Sequence, residues 1–209
     1  MTPDFSIETK LTEQFKNSTK EILIAGVDEA GCGALAGPVV AAAVILNPEY
    51  LPHGINDSKK LSAKKRKYLA NIILSNHHVA VTYACKTRII RDNIRQATLW
   101  AMAQAINALT PPPNIVMIDG PHVPINLKCQ TVPIIKGDTK SLSIAAASIV
   151  AKVCRDAYMV EAAKAYPGYG FEKHVGYGTK MHLQSILQLG PCRIHRDDFA
   201  PLQNNFFIV

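Results

Sequence analysis

Two runs of apolar residues near the start of the chain are separated by a loop that contains three glycines. Residues 21–28 and 38–46 are rich in small and β-branched side chains, which is typical of strands buried on both faces of a sheet. The loop between them reads EAGCGALAG. Glycine permits positive φ and lets a ligand approach main-chain N–H groups. The pattern predicts two buried strands joined by a ligand-facing turn, although a plain tight turn would use the same residues.

Three further strands are expected along the chain. Residues 79–85 alternate between apolar and polar side chains, and residues 114–118 and 131–135 are short apolar runs. Pro133 has no N–H to give to a neighbouring strand, so the last of these should lie at an edge of the sheet. Strands that alternate with helices predict an α/β fold.

Four helices are expected where apolar residues recur every three or four positions. They should begin after Ser62, near Ile90, after Thr139 and after Thr179, and the prolines at 111–113 end the second. The first helix is expected to bury these side chains: Leu61, Tyr68, Leu69, Ile72 and Ile73.

Composition indicates a globular chain, with 209 residues of which 48% are hydrophobic and 19% charged. Such a length usually forms one domain, so we expect a single domain over residues 21–209 and a flexible polar lead-in over residues 1–20. The longest apolar run, at 39–46, is far shorter than the ~20 residues of a membrane span. Five cysteines without CxxC spacing predict reduced thiols, no zinc site and a cytoplasmic location. A monomer is the default expectation.

The net charge of +7 favours a polyanionic partner, with nucleic acid ahead of a membrane surface. Six of the ten residues at 58–67 are basic. Lys64, Lys65 and Arg66 should lie in a first helical turn, where cations oppose the helix dipole. A bound phosphate would favour this arrangement, but a solvated charged face explains it equally well.

Four carboxylates stand at or just beyond the ends of three predicted strands. Asp28 and Glu29 stand at the end of the first strand, Asp119 at the end of the fourth, and Asp138 shortly after the fifth. Ligands of α/β sheets bind at the carboxyl ends of strands, so these acids are expected to converge. Carboxylates so close together share protons or hold divalent cations. A set of oxygen ligands favours Mg²⁺ or Mn²⁺, and the basic surface then suggests phosphodiester hydrolysis with two metal ions.

Six segments resemble ribonuclease HII, the type 2 ribonuclease H family, in order and spacing, from about residue 22 to 201. They are VDEAGCGALAGPVVAAAVIL, DSKKLS, IDG, KGD with the following SIAAASIVAKVCRD, HVGYGTKMH, and IHRDDFAP. The resemblance implies a ribonuclease H-like α/β fold: a five-stranded mixed sheet with its second strand antiparallel, flanked by helices, plus a C-terminal helical portion. It also implies cleavage of the RNA strand of RNA/DNA hybrids and nicking of DNA on the 5′ side of embedded ribonucleotides, leaving 3′-hydroxyl and 5′-phosphate ends.

The resemblance also assigns site residues. The metal-binding acids correspond to Asp28, Glu29, Asp119 and Asp138. Gly31, Cys32 and Gly33 correspond to a Gly-Arg-Gly that senses the ribose 2′-hydroxyl through its backbone. Cys32 replaces the family's arginine, so we expect backbone recognition to survive and a phosphate contact to be lost.

Further substrate contacts are expected outside the glycine loop. Tyr177 corresponds to a tyrosine that packs on the sugar just past the scissile junction. The following side chains are candidates for backbone phosphates and should give salt-dependent affinity: Lys59, Lys60, Lys152 and Arg155. The C-terminal tail LQNNFFIV partly matches peptides that bind sliding clamps and suggests a weak clamp contact.

Two rival interpretations stay open. The type 3 ribonucleases H share the fold, but they usually carry an N-terminal substrate-binding domain and a glutamate at the fourth acidic position, which here is Asp138. A non-catalytic or impaired hybrid-binding protein is the second rival, and Cys32 is its local support. Retention of four mutually repelling acids argues against it.

Overall fold

The sheet has five strands: β1 Ile24–Ala30, β2 Val39–Ile45, β3 His78–Ala84, β4 Ile115–Asp119 and β5 Gln130–Ile134. The structure is a computed structural model that describes residues 2–15, 22–200 and 202. The strand order is β3-β2-β1-β4-β5. β2 runs antiparallel to β1 and β3, whereas β4 is parallel to β1 and β5. This confirms the mixed sheet with an antiparallel second strand, and Pro133 lies in an edge strand as predicted.

Helices cover both faces of this sheet. Within the described residues they are α1 Ser6–Gln14, α2 Ala63–Asn76, α3 Lys86–Asn107, α4 Leu142–Ala165, α5 Phe171–His174 and α6 Lys180–Leu189, with 3₁₀ turns at Pro48–Tyr50 and Gly137–Thr139. In the ranges 2–15 and 22–200, no helix combines the length and apolarity needed to cross a membrane. The side chain of Ser62 caps α2 as predicted, accepting from the N–H of Lys65. The side chain of Thr179, near the predicted start of the last helix, caps α6 and accepts from the N–H of His182.

The two faces of β2 have different helical partners. Ala41 and Ala43 belong to a buried cluster with α3, whereas Ala42 and Val44 belong to one with α2 and α4. Successive strand residues point to opposite faces, so α3 and α4 lie on opposite sides of the sheet. Both sides of β2 are therefore buried, which explains its continuous apolar sequence.

The structure corrects two predicted helix starts. The apolar spacing predicts a helix from about Ile90, but α3 begins at Lys86 and is broken at Asn93, where φ is 62° and ψ is 165°. The polar first turn carries no apolar signal, and the break interrupts the period. α4 is capped by the Ser141 side chain, which accepts from the N–H of Ile144, because Thr139 lies in the preceding 3₁₀ turn.

The predicted buried face of α2 is partly wrong. Leu69 and Ile73 are fully buried, but Tyr68 is 57% exposed. A helix advances about 100° per residue, so the face centred on Leu69 and Ile73 leaves the ring of Tyr68 at its margin. There the ring lies 5.3 Å from Nζ of Lys65.

The predicted flexible lead-in is wrong for residues 2–15, because residues Ser6–Gln14 form α1. Ile7 and Leu11 pack against a buried cluster of the sheet. The carboxylate of Glu8 is buried and accepts from the Ser141 hydroxyl at 2.7 Å and the Ser143 N–H at 2.9 Å. Residues 16–20 lie outside the described residues. The assignment of residues 21–209 to one domain stays a prediction.

Candidate active site

Four acidic side chains gather at one edge of the sheet, beside the adjacent strands β1, β4 and β5. Asp119 is the last residue of β4, and Asp138 lies in the 3₁₀ turn after β5. Asp28 and Glu29 lie within β1, opposite Ala42 and Ala41 of β2. Because pairing with β2 extends β1 as far as Ala30, both residues lie within the strand, close to its carboxyl end.

Neighbouring positions on β1 give Asp28 and Glu29 different surroundings. The Asp28 carboxylate accepts from the Glu29 N–H at 2.7 Å and is influenced by the hydroxyl of Ser148 on α4. Ser148 in turn lies 3.1 Å from the hydroxyl of Ser58. The carboxylate of Glu29 instead accepts a hydrogen bond from the thiol of Cys32, with 3.6 Å between Sγ of Cys32 and Oε1 of Glu29. The two carboxylates of β1 therefore have different partners, Ser148 on α4 for Asp28 and Cys32 in the glycine loop for Glu29.

A main-chain hydrogen bond links the third and fourth acids. Oδ1 of Asp119 accepts from the N–H of Gly137 at 2.6 Å. Gly137 begins the turn that carries Asp138, so this bond fixes the end of β4 relative to that turn.

Burial and mutual repulsion raise the pKa of three of the acids, and Asp119 is a neighbour of each. Burial, followed by repulsion from Glu29 and Asp119, raises the pKa of Asp28 well above its usual range. Burial and Asp119 raise the pKa of Glu29. Burial and Asp119 also raise the pKa of Asp138, while the cation of Lys59 acts in the opposite direction. Ionised together, these groups disfavour one another, and a divalent cation between them would remove that penalty.

The donor set fits a hard divalent cation, because it contains only carboxylate oxygens. Across residues 2–15 and 22–200, no three acidic, histidine or cysteine side chains already stand in metal-ligand geometry.

The glycine loop lies beside these acids. Gly31 has φ of +98°, and a Cβ there would overlap the Arg155 side chain. A Cβ on Gly33 would meet no atom, which leaves its backbone open to a ligand. Sγ of Cys32 lies 3.3 Å from Oγ1 of Thr98, and burial raises the pKa of this thiol to about 12. Cys32 is therefore a neutral, half-buried side chain that offers no cation to a phosphate.

Arg155 does not have the predicted role in phosphate binding. Its guanidinium is fully buried and donates to the carbonyls of Pro38 at 3.0 Å, Ala36 at 3.1 Å and Val175 at 2.9 Å. Because no part of it reaches solvent, we correct the prediction: Arg155 holds the segment that follows the glycine loop.

Arg196 holds the glycine loop itself, and sequence reasoning missed it. It is fully buried and donates to the carbonyls of Gly31 and Cys32 at 2.9 Å, and twice to the carbonyl of Gly37. Within the part of the chain that the structure describes, neither Arg155 nor Arg196 has a carboxylate at ion-pair distance. The only sequence signal for the role of Arg196 was its position in the segment IHRDDFAP.

The remaining predicted contacts are partly exposed. Lys59 and Lys60 are exposed in the loop before α2. The ammonium of Lys152 pairs with Asp156 at 2.9 Å and lies 5.5 Å from the centre of the Tyr177 ring. Tyr177 is half-buried. These four side chains are accessible to a duplex, and their roles stay predictions.

Buried histidines connect Tyr177 to the segment that carries Arg196. Nδ1 of His182 lies 3.0 Å from the Tyr177 carbonyl, which only accepts, so Nδ1 carries the proton and Nε2 accepts. Nε2 of His195, 3.0 Å away, must then donate, and its Nδ1 accepts from the N–H of Cys192 at 2.8 Å. Burial lowers the pKa of both imidazoles to about 4. The two imidazoles therefore form a buried, neutral, hydrogen-bonded pair.

Comparison with known proteins identifies the family. The sequence model of ribonuclease HII matches residues 25–202. This chain belongs to the ribonuclease HII family. A ribonuclease HII of Azorhizobium caulinodans is 54% identical over 180 residues, which cover 86% of this chain and 69% of that protein. A ribonuclease HII of Jannaschia sp. is 48% identical, with 97% of each chain covered.

Solved structures give the same fold. The ribonuclease H2 of Pyrococcus horikoshii superposes with a TM-score of 0.75 at 22% identity, covering 88% of this chain and 96% of that one. The ribonuclease HII of Archaeoglobus fulgidus, in a complex with PCNA, gives 0.71 at 26% identity, with 84% and 94% covered. A type 3 enzyme, the Bst-RNase HIII in complex with Mn²⁺, gives 0.69 at 18% identity, with 94% and 79% covered.

Family membership decides between the two types of ribonuclease H. About half of the residues are identical to ribonucleases HII over most of the chain, whereas the type 3 structure shares the fold at 18% identity. The protein is therefore a ribonuclease H, an endonuclease that hydrolyses RNA in RNA/DNA hybrids, and it belongs to a metal-dependent class of enzymes.

Proposed function

We propose that this ribonuclease HII cleaves the RNA strand of hybrids and nicks duplex DNA on the 5′ side of an embedded ribonucleotide, leaving 3′-hydroxyl and 5′-phosphate ends. Asp28, Glu29, Asp119 and Asp138 would hold two Mg²⁺ or Mn²⁺ ions. When bound, the ions activate water and stabilise the charge on the leaving oxygen. The observation that carries the proposal is the convergence of four carboxylates, three of which have a raised pKa because of burial and of repulsion within the set.

The protein's own groups position the strand. The backbone of the loop from Gly31 to Gly33 would read the 2′-hydroxyl, because the open side of Gly33 permits close approach. The ring of Tyr177, close to the ammonium of Lys152, would pack on the sugar just past the scissile junction. Lys59 and Lys60 are exposed and would bind phosphates without regard to sequence.

A cleavage assay tests the proposal. The protein is incubated with Mn²⁺ and a duplex that contains one ribonucleotide, and the products are mapped beside those of a long hybrid and an all-DNA duplex. We expect one nick at the 5′ side of the ribonucleotide, cleavage of the hybrid, and none of the all-DNA duplex. The absence of nicking, or equal nicking of all-DNA duplex, would overturn the proposal. Parallel titrations with Mg²⁺ and Mn²⁺ identify the effective ion.

Variants of the acids separate catalysis from binding. Asp119→Asn and Asp138→Asn should lose most turnover yet still bind hybrid, and Glu172→Gln, at an exposed acid on α5, should retain activity. The second candidate function, an impaired or non-catalytic hybrid-binding protein, is favoured only by Cys32. It predicts binding without turnover in the unmodified protein as well.

We also infer a weak contact between the C-terminal tail and a sliding clamp. The support is the glutamine before paired aromatics in the tail and the relative solved in complex with PCNA. Residues 203–209 lie outside the described residues. Deletion of these residues should abolish clamp binding in a pull-down while cleavage is retained; equal binding would refute the inference. A monomeric state and a cytoplasmic location, which fits the five free cysteines, remain part of the proposal.

A further inference from the structure

A cavity of about 250 Å³ opens beside Glu29, Cys32 and Asp119, on the side of the sheet that α3 covers. Residues of α3 form an apolar wall and two side chains at the mouth are polar: Ile94, Leu99 and Met102 in the wall, and Arg95 and His122 at the mouth. Because two of the proposed metal-binding acids line it, a strand whose phosphate lies over the acids must pass this opening.

Arg95 brings a positive charge to this cavity. Arg88 and Arg91 both pair with Asp92, one turn before. Over residues 2–15 and 22–200, no acid lies at ion-pair distance from Arg95, and its side chain is exposed at the cavity mouth. Its exposed guanidinium can therefore bind a phosphate.

A strained residue begins the part of α3 that lines the cavity. Asn93 has φ of 62° and ψ of 165°, a combination that residues other than glycine rarely adopt and that is often kept at functional sites. Its side chain accepts from the N–H of Gln96 at 3.1 Å, which starts the second half of the helix. Ile94 and Arg95 follow at once and line the cavity, so the break determines their placement.

The cavity and Tyr177 lie on opposite sides of the acids. α3 and α4 cover opposite faces of the sheet, and the Tyr177 ring lies near Lys152 and Arg155 of α4. Tyr177 is proposed to take the sugar on the 3′ side of the ribonucleotide. A strand that crosses the acids therefore reaches the cavity on its 5′ side.

We propose that this cavity binds the nucleotide on the 5′ side of the scissile phosphate in the cleaved strand. Its base and sugar would lie against Ile94, Leu99 and Met102, and its phosphate would bind Arg95. The lining fits one nucleotide, because an apolar wall can contact the base and a cation at the mouth can bind the phosphate. The assignment rests on the proposed function and names a further part of the same site.

Steady-state cleavage of a single-ribonucleotide duplex tests Arg95. Arg95→Ala should raise KM roughly fivefold and make the slope of log KM against log salt shallower by about 0.9, the effect of one lost phosphate contact. Arg91→Ala removes the same charge from the same helix, but Arg91 is paired with Asp92, so its kinetics should stay close to wild type. Equal kinetics of the two variants would overturn the role of Arg95.

A substrate scan tests which nucleotide enters. Leu99→Trp fills the cavity and should lower kcat/KM roughly tenfold, the loss of one good base contact. A substrate lacking the base on the 5′ side should lower wild-type kcat/KM similarly and cause no further loss in Leu99→Trp. Coupling to a base at another position, or unchanged kinetics in Leu99→Trp, would overturn the assignment. Leu74→Trp, at an exposed residue of α2, controls for added bulk.

The two proposals fail differently. If the wild-type protein does not nick the duplex, the proposed function fails. If it nicks normally and both cavity variants match their controls, only the nucleotide site fails. Arg95→Ala changes an exposed side chain, so it decides the question even if Leu99→Trp proves unstable.

Discussion

Removal of the Arg196 guanidinium is expected to weaken both the fold and the recognition of ribose. Arg196→Met takes away the donors to the carbonyls of Gly31, Cys32 and Gly37, all in or beside the glycine loop. Each buried carbonyl left without a donor costs about 1–3 kcal/mol. Burial of a guanidinium without a counter-ion is itself unfavourable, and its removal offsets part of the loss. The free energy of unfolding should therefore fall by about 3–5 kcal/mol.

The assay combines stability with binding. Urea unfolding measures the first effect, with Arg193→Met, at a nearby exposed arginine, as the control and Arg196→Lys as an intermediate that keeps the charge. Fluorescence anisotropy in the inactive Asp119→Asn background measures the preference for a ribonucleotide-containing duplex over all-DNA duplex. We expect that preference to fall about tenfold, the equivalent of one well-made hydrogen bond. If Arg196→Met unfolds with the midpoint of its parent and keeps the preference, the loop does not depend on Arg196.

Three further outcomes follow from the site. The pKa of Asp28 in the folded state is raised well above its ordinary value of 3.8. Once the pH exceeds that ordinary value, the folded state binds more protons than the unfolded state, so the free energy of unfolding without divalent ions should decline as pH rises. Urea unfolding in EDTA should show a smaller decline for Asp28→Asn, Mg²⁺ should restore the wild type, and identical pH profiles would contradict this. Gly26→Ala would overlap the backbone of Ser143 and should cost about 3 kcal/mol or more by urea unfolding, whereas Gly33→Ala, which meets no atom, should cost under 1 kcal/mol. Cys32→Arg should strengthen duplex binding about threefold at unchanged ribose preference in the anisotropy assay; a lost preference would show that the side chain, not the backbone, governs recognition.

Much of the fold is encoded locally. The apolar runs predict all five strands to within a few residues, Pro133 predicts the edge strand, and Ser62 and Thr179 predict two helix starts. Each of these signals depends only on residues a few positions away in the sequence. Ile7 and Leu11 of α1 also have helical spacing, four positions apart, but the surrounding residues are polar and this short apolar pattern did not predict a helix.

The four acids were recognisable from sequence because strand ends in such sheets share one edge. The exact strand position of Asp28 and Glu29 was not recognisable from sequence. Both lie within β1, because β1 pairs with β2 as far as Ala30. The raised pKa values likewise depend on Asp119, which comes from another strand.

The sequence by itself determined the sheet, most helices, the acidic set and the family. Only the tertiary structure decided that Arg155 is a buried support and that Arg196 holds the glycine loop. From sequence alone, a basic residue in a helix or loop is predicted to be a surface cation, because charged side chains are rarely buried. Among the carbonyls that accept from these guanidinium groups, that of Pro38 lies 117 residues from Arg155 and that of Gly31 lies 165 residues from Arg196. Such partners meet only when the core packs, so local pattern cannot reveal them.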